Sequence, residues 1–407
     1  MLRVLIVLGT RPEAIKLAPV IRALSARGGE VVTRVCLTAQ HREMLDPMLE
    51  LLGVTPDIDL NLMRPGQQLS DLAARVLTGL TPVLEAERPD FVLVQGDTTT
   101  AVAAALAAFH LRIPVGHVEA GLRTGDSLSP FPEEANRRMI TALAALHFAP
   151  TRRAAERLIA EGVSPRAVYL TGNTVVDAVR WMLATSPSEA ARRLLADLGF
   201  SPAGDAARSP VRLVLATAHR RESFGPPFGS ICRGLRAIAE GDPDVLVVYP
   251  VHLNPQVRGP VWRTLADHPR VKLLEPLPYE PFTRLLAAAY LVLTDSGGIQ
   301  EEASVLGKPV LVLREVTERP EILEAGIGKL VGTSAERIAG EAHRLLSDQG
   351  LYRSMARRAD LFGDGRAGER IVSALLGKPL QPPAPSAATT GNVSPPNGRT
   401  PTEKLGP

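Results

Sequence analysis

An α/β fold of two tandem parallel-sheet domains is what the sequence predicts, on three observations. Short β-branched apolar runs alternate with helical periodicity from the first residues, and the alternation restarts after a Pro-, Gly- and Ala-rich stretch around Ser201 to Pro210. At 407 residues and 45% hydrophobic content the chain also exceeds one core, since single cores stop growing at roughly 250–300 residues. Strands that alternate with helices form βαβ units, whose parallel sheet is covered on both faces, so each half is Rossmann-like.

The first half runs LRVLIVLG, a helix from about Pro12 to Ala26, VVTRVCLTA, FVLVQGD and PVGHVEAG; the second runs VRLVLATAH, DVLVVYPVH, VKLLEPL, YLVLTDSGG and KPVLVLRE. The boundary falls near Thr171-Gly172-Asn173, giving an N-terminal domain over 1–171 and a C-terminal domain over 172–352. Leu194 to Pro210 reads as a loop or insertion inside the second half. A final helical stretch from about Ala335 to Leu376 is expected to carry residues 353–377 back onto the first domain. Residues 378–407 are Pro-rich and lack the apolar side chains that offset ordering entropy; this tail is expected to be disordered and dispensable for turnover.

Composition excludes several function classes. Lys and Arg exceed Asp and Glu only as 46 to 43 and are interspersed with them, so no nucleic-acid partner is indicated. Cys36 and Cys232 read as buried thiols of a strand and a helix, which fits a reducing compartment. Leu2 to Leu8 has no basic region before it and no cleavage site after it, and is read as a first strand. Ala101 to Phe109 is about half of the ~20 residues that a membrane span needs. A cytoplasmic protein without a membrane partner is expected. No Cys/His cluster or HExxH pattern indicates a metal. His110, His147, His268 and His343 read as helix or loop residues without a functional signal.

In open α/β sheets ligands bind at the carboxyl ends of strands, so the loops there are the places for chemistry. Gly9-Thr10-Arg11-Pro12-Glu13 ends the first strand and opens a helix, where free N–H groups with Arg11 and Lys16 suit an anion, or else form a solvated turn. Asp295-Ser296-Gly297-Gly298 leads a strand into a helix whose start allows close approach of a phosphate, with Glu302 placed for ribose hydroxyls. Gln95-Gly96-Asp97-Thr98-Thr99-Thr100 could be a helix cap alone. Glu119 could be half of an Arg123 ion pair, and Glu133 a favourable charge at a helix start. Three carboxylates at strand and helix ends of one domain nevertheless suit proton transfer from carbon, which needs a positioned base and a positioned acid. In the second half His219-Arg220-Arg221 suits a diphosphate, Arg319 adds a cation, and His252 carries a weaker signal.

Together GTRPEAIK, TAQHREMLD, QGDTTT, GHVEAGLRTGD, SPFPEEANRR, TGNTVVDA, HRRESFG, YPVHLNP, TDSGGIQEEA, GKPVLVLRE and TERPE resemble the non-hydrolysing UDP-N-acetylglucosamine 2-epimerases over about residues 1 to 376. The resemblance implies a glycosyltransferase-B type fold, with two domains facing a central cleft, usually in a homodimer without nicotinamide or metal. It implies interconversion of UDP-N-acetylglucosamine and UDP-N-acetylmannosamine for cell-surface polysaccharide synthesis, by elimination of UDP to a 2-acetamidoglucal and re-addition. Asp97, Glu119 and Glu133 then carry the acid/base work, without a decision on which abstracts the proton, and His219 faces the diphosphate. Arg11, Lys16, Arg137, Ser296, Gly297, Gly298, Glu302 and Arg319 would hold the UDP-sugar, with Phe282 near the uracil. Some members carry a second, activating substrate site. Gln40, His41, Gln67 and His252 match it here, but Glu43 stands where those members have Gln, and Gly66 where they have Arg. A nearly hyperbolic dependence of rate on substrate is therefore expected.

Overall fold

The computed structural model describes residues 1–38, 42–64, 66–201, 211–381 and 383. The first sheet contains β1 (Leu2–Leu8), β2 (Val31–Leu37), β3 (Ile58–Asp59), β4 (Phe91–Gln95), β5 (Val115–Val118), β6 (Leu146–Ala149) and β7 (Val168–Leu170), in the order β3-β2-β1-β4-β5-β6-β7. The second contains β8 (Arg212–Thr217), β9 (Val245–Pro250), β10 (Val271–Leu274), β11 (Leu291–Thr294), β12 (Val310–Val312) and β13 (Gly328–Leu330), in the order β10-β9-β8-β11-β12-β13. Neighbouring strands are parallel in both.

Both faces of each sheet are covered, and the period-2 alternation of a strand shows how. Val4, Ile6 and Leu8 of β1 pack with Leu17 and Leu24 of the helix Arg11–Ser25. Leu5 and Val7 point the other way, against Leu80 and Leu84 of the helix Leu69–Glu87 and Ala104 and Ala108 of the helix Thr99–His110. In β8, Val214 and Ala216 meet Phe228 and Leu235 of the helix Pro226–Gly241, whereas Leu213 and Leu215 meet Leu285 and Leu286 of the helix Tyr279–Ala288. Burial on both faces is why these strands read as continuous apolar runs. The order of strands reverses between β1 and β4 and between β8 and β11. Such switch points leave a crevice beyond the strand ends, so the loops after these four strands are where a ligand fits.

Two segments join the sheets. Residues 171–173 lead from β7 into the helix Thr174–Ala184, which belongs to both cores: Val175 and Val176 pack with the second domain, and Ala178 and Met182 with the first. Residues 356–366 return the chain, and the helix Ala367–Leu375 packs on the helix Arg11–Ser25. Asp177 fastens that helix by accepting from the N–H groups of Ala367 at 3.2 Å and Gly368 at 2.9 Å. The two segments touch glycine against glycine, with the Asn173 N–H donating to the Phe362 carbonyl at 2.6 Å.

Three expectations are corrected. The stretch from Ala335 to Leu376 is not one helix but Ala335–Ser347, Gln349–Met355 and Ala367–Leu375, because Asp348 ends the first and caps the second by accepting from Leu351 N. Leu194 belongs to the helix Glu189–Asp197, capped by Ser188 and buried through Ala191 and Leu195, so the reading of 194–210 as loop fails at its start; residues 202–210 lie outside the described ones. His147 sits on β6, a strand too short to show its alternation. The helix expected from about Pro12 to Ala26 spans Arg11–Ser25. Most of the tail beyond residue 378 lies outside the described residues. No described helix is long and apolar enough to cross a membrane.

Gly172 has φ +88°, and a Cβ there would stand 3.1 Å from Gly363 Cα. Gly172→Ala is expected to lower stability by about 1–3 kcal/mol. Gly53→Ala, at φ +65° but with nothing within 4 Å of the new Cβ, should lose only the backbone part, about 1 kcal/mol. Thermal unfolding of the two variants checks this; equal losses would show that the glycine contact is not tight.

Candidate active site

At the first switch point Gly9 and Thr10 turn β1 into its helix, with Pro12 in the first turn. Glu13 is fully buried there and organises both loops. It accepts from Gly9 N at 3.0 Å, Thr10 N at 2.8 Å and Thr10 Oγ1 at 2.8 Å, and from Thr98 Oγ1 across the crevice at 2.7 Å. Burial raises its pKa against these hydrogen bonds. The sequence reading gave Glu13 no role, although Thr10 and Glu13 have capping-box spacing.

After β4, Gly96 adopts φ +71° and Asp97 turns toward the helix Glu133–Leu143. Arg137 Nε donates to Asp97 Oδ2 at 2.8 Å, and Asn136 Nδ2 to the Asp97 carbonyl at 2.8 Å. His117, buried on β5, is 2.7 Å through Nε2 from the Gly96 carbonyl. Burial lowers its pKa to about 3, so the ring is neutral and Nε2 carries the proton, because a carbonyl only accepts. Thr98 caps the following helix, accepting from Ala101 N at 2.9 Å. At the helix start the two adjacent carboxylates differ. Glu134 binds Thr124 N, Arg137 and Arg138, whereas Glu133 Oε2 is buried without a hydrogen-bond partner.

The densest cluster spans both domains. Glu119, just past β5, holds a left-handed φ of 67° that a non-glycine residue adopts only when its surroundings impose it. Both its oxygens lie 2.6 Å from Lys16 Nζ; Gln95 Nε2 donates to Oε2, Asn173 Nδ2 to Oε1 at 3.1 Å, and Arg319 approaches to 3.7 Å. From the second domain, Glu301 of the helix Gly297–Val305 accepts from Arg319 Nε and, at 3.1 Å, from Asn173 Nδ2. Burial opposes the charge on Glu119, yet Lys16 and Arg319 prevail and lower its pKa. Burial likewise opposes the charge on Arg319, but Glu301 and Glu119 raise its pKa and keep it charged. The expected alternative, an Arg123 pair for Glu119, is not what forms: Arg123 grips Glu161 at 2.8 and 2.7 Å. Asn173 and Glu301 went unassigned in the sequence.

At the second switch point Thr217 Oγ1 donates to Thr294 Oγ1 at 2.7 Å, tying β8 to β11. His219 follows β8, and its ring stacks on that of His252 with centroids 5.3 Å apart. Ser296 precedes the helix Gly297–Val305, and its N–H donates to Thr294 Oγ1 at 3.0 Å. Glu302 is buried one turn into that helix, 3.3 Å from the Tyr279 hydroxyl. Burial raises its carboxyl to about 7, as does Glu301, while Tyr279 and Arg11 pull the other way. Phe282 packs at the edge of the second core.

The structure thus gathers Lys16, Glu119 and Arg319 in one cluster, Asp97 with Arg137 in another, and His219 with His252 in a third. Lys16, Arg137 and Arg319, expected to hold an anion, are bound to carboxylates in this state. Gln67 is taken by Arg75 at 2.6 Å, and Gln40 and His41 lie outside the described residues. Among the described residues no group of three or more His, Cys, Asp or Glu side chains could hold a metal ion.

A family model for UDP-N-acetylglucosamine 2-epimerase matches residues 22–376. The chain is 51% identical over 376 residues to UDP-N-acetylglucosamine 2-epimerase of Escherichia coli K12, covering 92% of this chain and 98% of that protein. It superposes on the crystal structure of UDP-GlcNAc 2-epimerase from Neisseria meningitidis bound to UDP-GlcNAc with a TM-score of 0.86 at 44% identity, covering 93% and 100% of the two chains. The S. aureus MnaA–UDP co-structure gives 0.83 at 41% identity, covering 93% and 99%.

The raised Glu302 carboxyl has a stability consequence. A group that binds its proton more tightly in the folded state favours folding below its unfolded value, near 4.5, and loses that contribution as the pH rises toward 7. Glu302→Gln removes the dependence. Between pH 5 and pH 8 the variant should gain roughly 2–3 kcal/mol on the native chain, read by unfolding at both pH values; a pH-independent difference would refute the assignment.

Proposed function

The chain belongs to the UDP-N-acetylglucosamine 2-epimerase family, and on that premise we propose that it interconverts UDP-N-acetylglucosamine and UDP-N-acetylmannosamine without net hydrolysis. The observation that carries the reading is the meeting of the first-domain carboxylate Glu119 with the second-domain cation Arg319, at 3.7 Å, in a cluster that Lys16 and Glu301 complete. In this reading residues 1–171 supply the acid/base groups, residues 172–352 bind UDP, and residues 353–377 return to the first domain.

The UDP moiety lies against the second domain. Its phosphates meet the Ser296 hydroxyl and the N–H groups of Gly297 and Gly298, where the helix dipole favours negative charge. Glu302 takes the ribose hydroxyls, Phe282 lies near the uracil, and Arg11 adds charge from the first domain. A carboxylate takes the C2 proton, the C2–H electron pair becomes the C1=C2 double bond, and the C1–O pair leaves on the β-phosphate of UDP. Re-addition of UDP to the 2-acetamidoglucal, with a proton delivered to the opposite face of C2, completes inversion. Two faces need two proton carriers, and Asp97, Glu119 and Glu133 are the candidates. Glu119, fully engaged in this state, gains freedom when Lys16 and Arg319 shift toward the diphosphate. A closed cleft keeps water from the glucal. The product serves cell-surface polysaccharide synthesis, and we place the enzyme in the cytoplasm as a homodimer.

Pure protein incubated with UDP-N-acetylglucosamine in D2O, without added NAD or metal, should give UDP-N-acetylmannosamine carrying deuterium at C2 by proton NMR. Free N-acetylmannosamine, or unchanged substrate, would overturn the reading. Asp97→Asn and Glu133→Gln should each lower kcat by about a hundredfold or more while UDP binding, measured by calorimetry, persists; full turnover in either variant removes that residue from the proton-transfer set.

A further inference from the structure

Asp295, at the end of β11, is completely buried. Its Oδ2 accepts from two backbone N–H groups of the opposite loop, His219 at 2.7 Å and Arg220 at 2.8 Å. Its Oδ1 has no hydrogen-bond partner, and it lies 3.5 Å from His219 Nδ1. An unsatisfied carboxylate oxygen away from water is unfavourable by several kcal/mol in an apolar setting. A ring movement of about half an ångström brings Nδ1 within hydrogen-bond range. The loop beneath is already held: the Tyr249 hydroxyl donates at 2.6 Å to the carbonyl of Ala218.

We propose that Asp295 is a positioning residue for His219, accepting Nδ1–H so that Nε2 is presented to the substrate diphosphate and the protonated ring is stabilised as charge develops there. This rests on the reading above, in which His219 contacts the diphosphate. The charged and titratable groups facing His219 are Asp295, Arg220 and His252. Burial lowers the pKa of His219, Asp295 raises it, and Arg220 and His252 lower it further. Asp295 thus opposes the surroundings that would leave the ring neutral. During elimination the C1–O electron pair moves onto the β-phosphate oxygen and the C2 proton onto a first-domain carboxylate. As the diphosphate binds, the ring takes a second proton from solvent; the imidazolium donates through Nδ1 to Asp295 and through Nε2 to the phosphate, and it keeps both protons through elimination and re-addition, so nothing is consumed. The arrangement obeys the general logic by which a buried carboxylate orients an imidazole and selects its tautomer.

Asp295→Asn separates positioning from scaffolding. The amide oxygen can still accept from the two backbone N–H groups, but the amide N–H then faces Nδ1 and selects the opposite tautomer. The test is nitrogen NMR of the full chain with labelled histidines, His219 being assigned through His219→Gln. In the native chain without ligand, the neutral ring should carry its proton on Nδ1. In Asp295→Asn the proton should move to Nε2, and the pKa of His219 should fall by about one unit or more. The variant's kcat should drop about a hundredfold, with KM for UDP-N-acetylglucosamine within about threefold of the native value. An Nε2–H tautomer in the native chain, an unchanged tautomer and pKa in the variant, or unchanged kcat would each overturn the proposal. The native-chain measurement needs no variant to fold. If the native protein fails to epimerise, the functional reading falls, while the NMR result still decides whether Asp295 sets the state of His219.

Discussion

A neutral set of four charges, the part-buried Lys16 and buried Glu119 from one domain with buried Arg319 and Glu301 from the other, is the constraint around which the two domains are arranged. Ions withdrawn from water lose several kcal/mol each unless partners replace the solvent, and removing one partner leaves another charge exposed to that loss. Here the partners come from four different loops and helices. Each element must therefore reach its place for the others to be tolerated. Asn173 supplies the joint: its amide nitrogen donates to Glu119 and to Glu301, while its amide oxygen accepts from Val175 N at 3.1 Å and starts the helix shared by both cores. The left-handed backbone at Glu119 and the glycine contact beside Asn173 are consequences of bringing these groups together.

The same cluster explains how a ligand could alter the balance. Its cations match a diphosphate in charge, and its carboxylates are the groups that lose compensation if the cations shift. A substrate that attracts Lys16 and Arg319 therefore changes the basicity of Glu119 at the moment of binding. Glu302, the next residue after Glu301, keeps a raised carboxyl, because burial and Glu301 outweigh the pull of Tyr279, Arg11 and Lys16. Successive helical residues are about 100° apart, which is enough to send one side chain into the cross-domain cluster and the other toward Tyr279 and Arg11.

That geometry also marks where the sequence is legible and where it is not. The parallel sheets were visible because two-sided burial writes unbroken β-branched runs such as LRVLIVL and LVLT, and candidates such as Asp97, Glu119 and His219 drew notice because they follow such runs, whereas the roles of Arg137 and Phe282 came only from the family resemblance. Partnerships were not. Arg123 stands four residues after Glu119 and suggested a local pair, yet it reaches Glu161 instead. Asn173 looked like a boundary marker, Asp295 like the first residue of a turn, and Glu301 drew no reading, because contacts between residues more than fifty positions apart leave no periodic trace. The break at Asp348 was missed for the opposite reason: apolar periodicity continues across it, while the cap depends on one side chain.

The two switch points apply one architectural device to different chemistry. At each, a buried carboxylate fastens one strand-end loop to its neighbour: Glu13 gathers the N–H groups of Gly9 and Thr10 and the hydroxyl of Thr98, and Asp295 gathers the N–H groups of His219 and Arg220. Glu13 ends fully occupied within its own domain, so its contribution is rigidity. Asp295 retains an oxygen facing an imidazole, so its loop is held and still able to respond to charge. The difference between these two carboxylates therefore lies in what remains unsatisfied after the fold has been built.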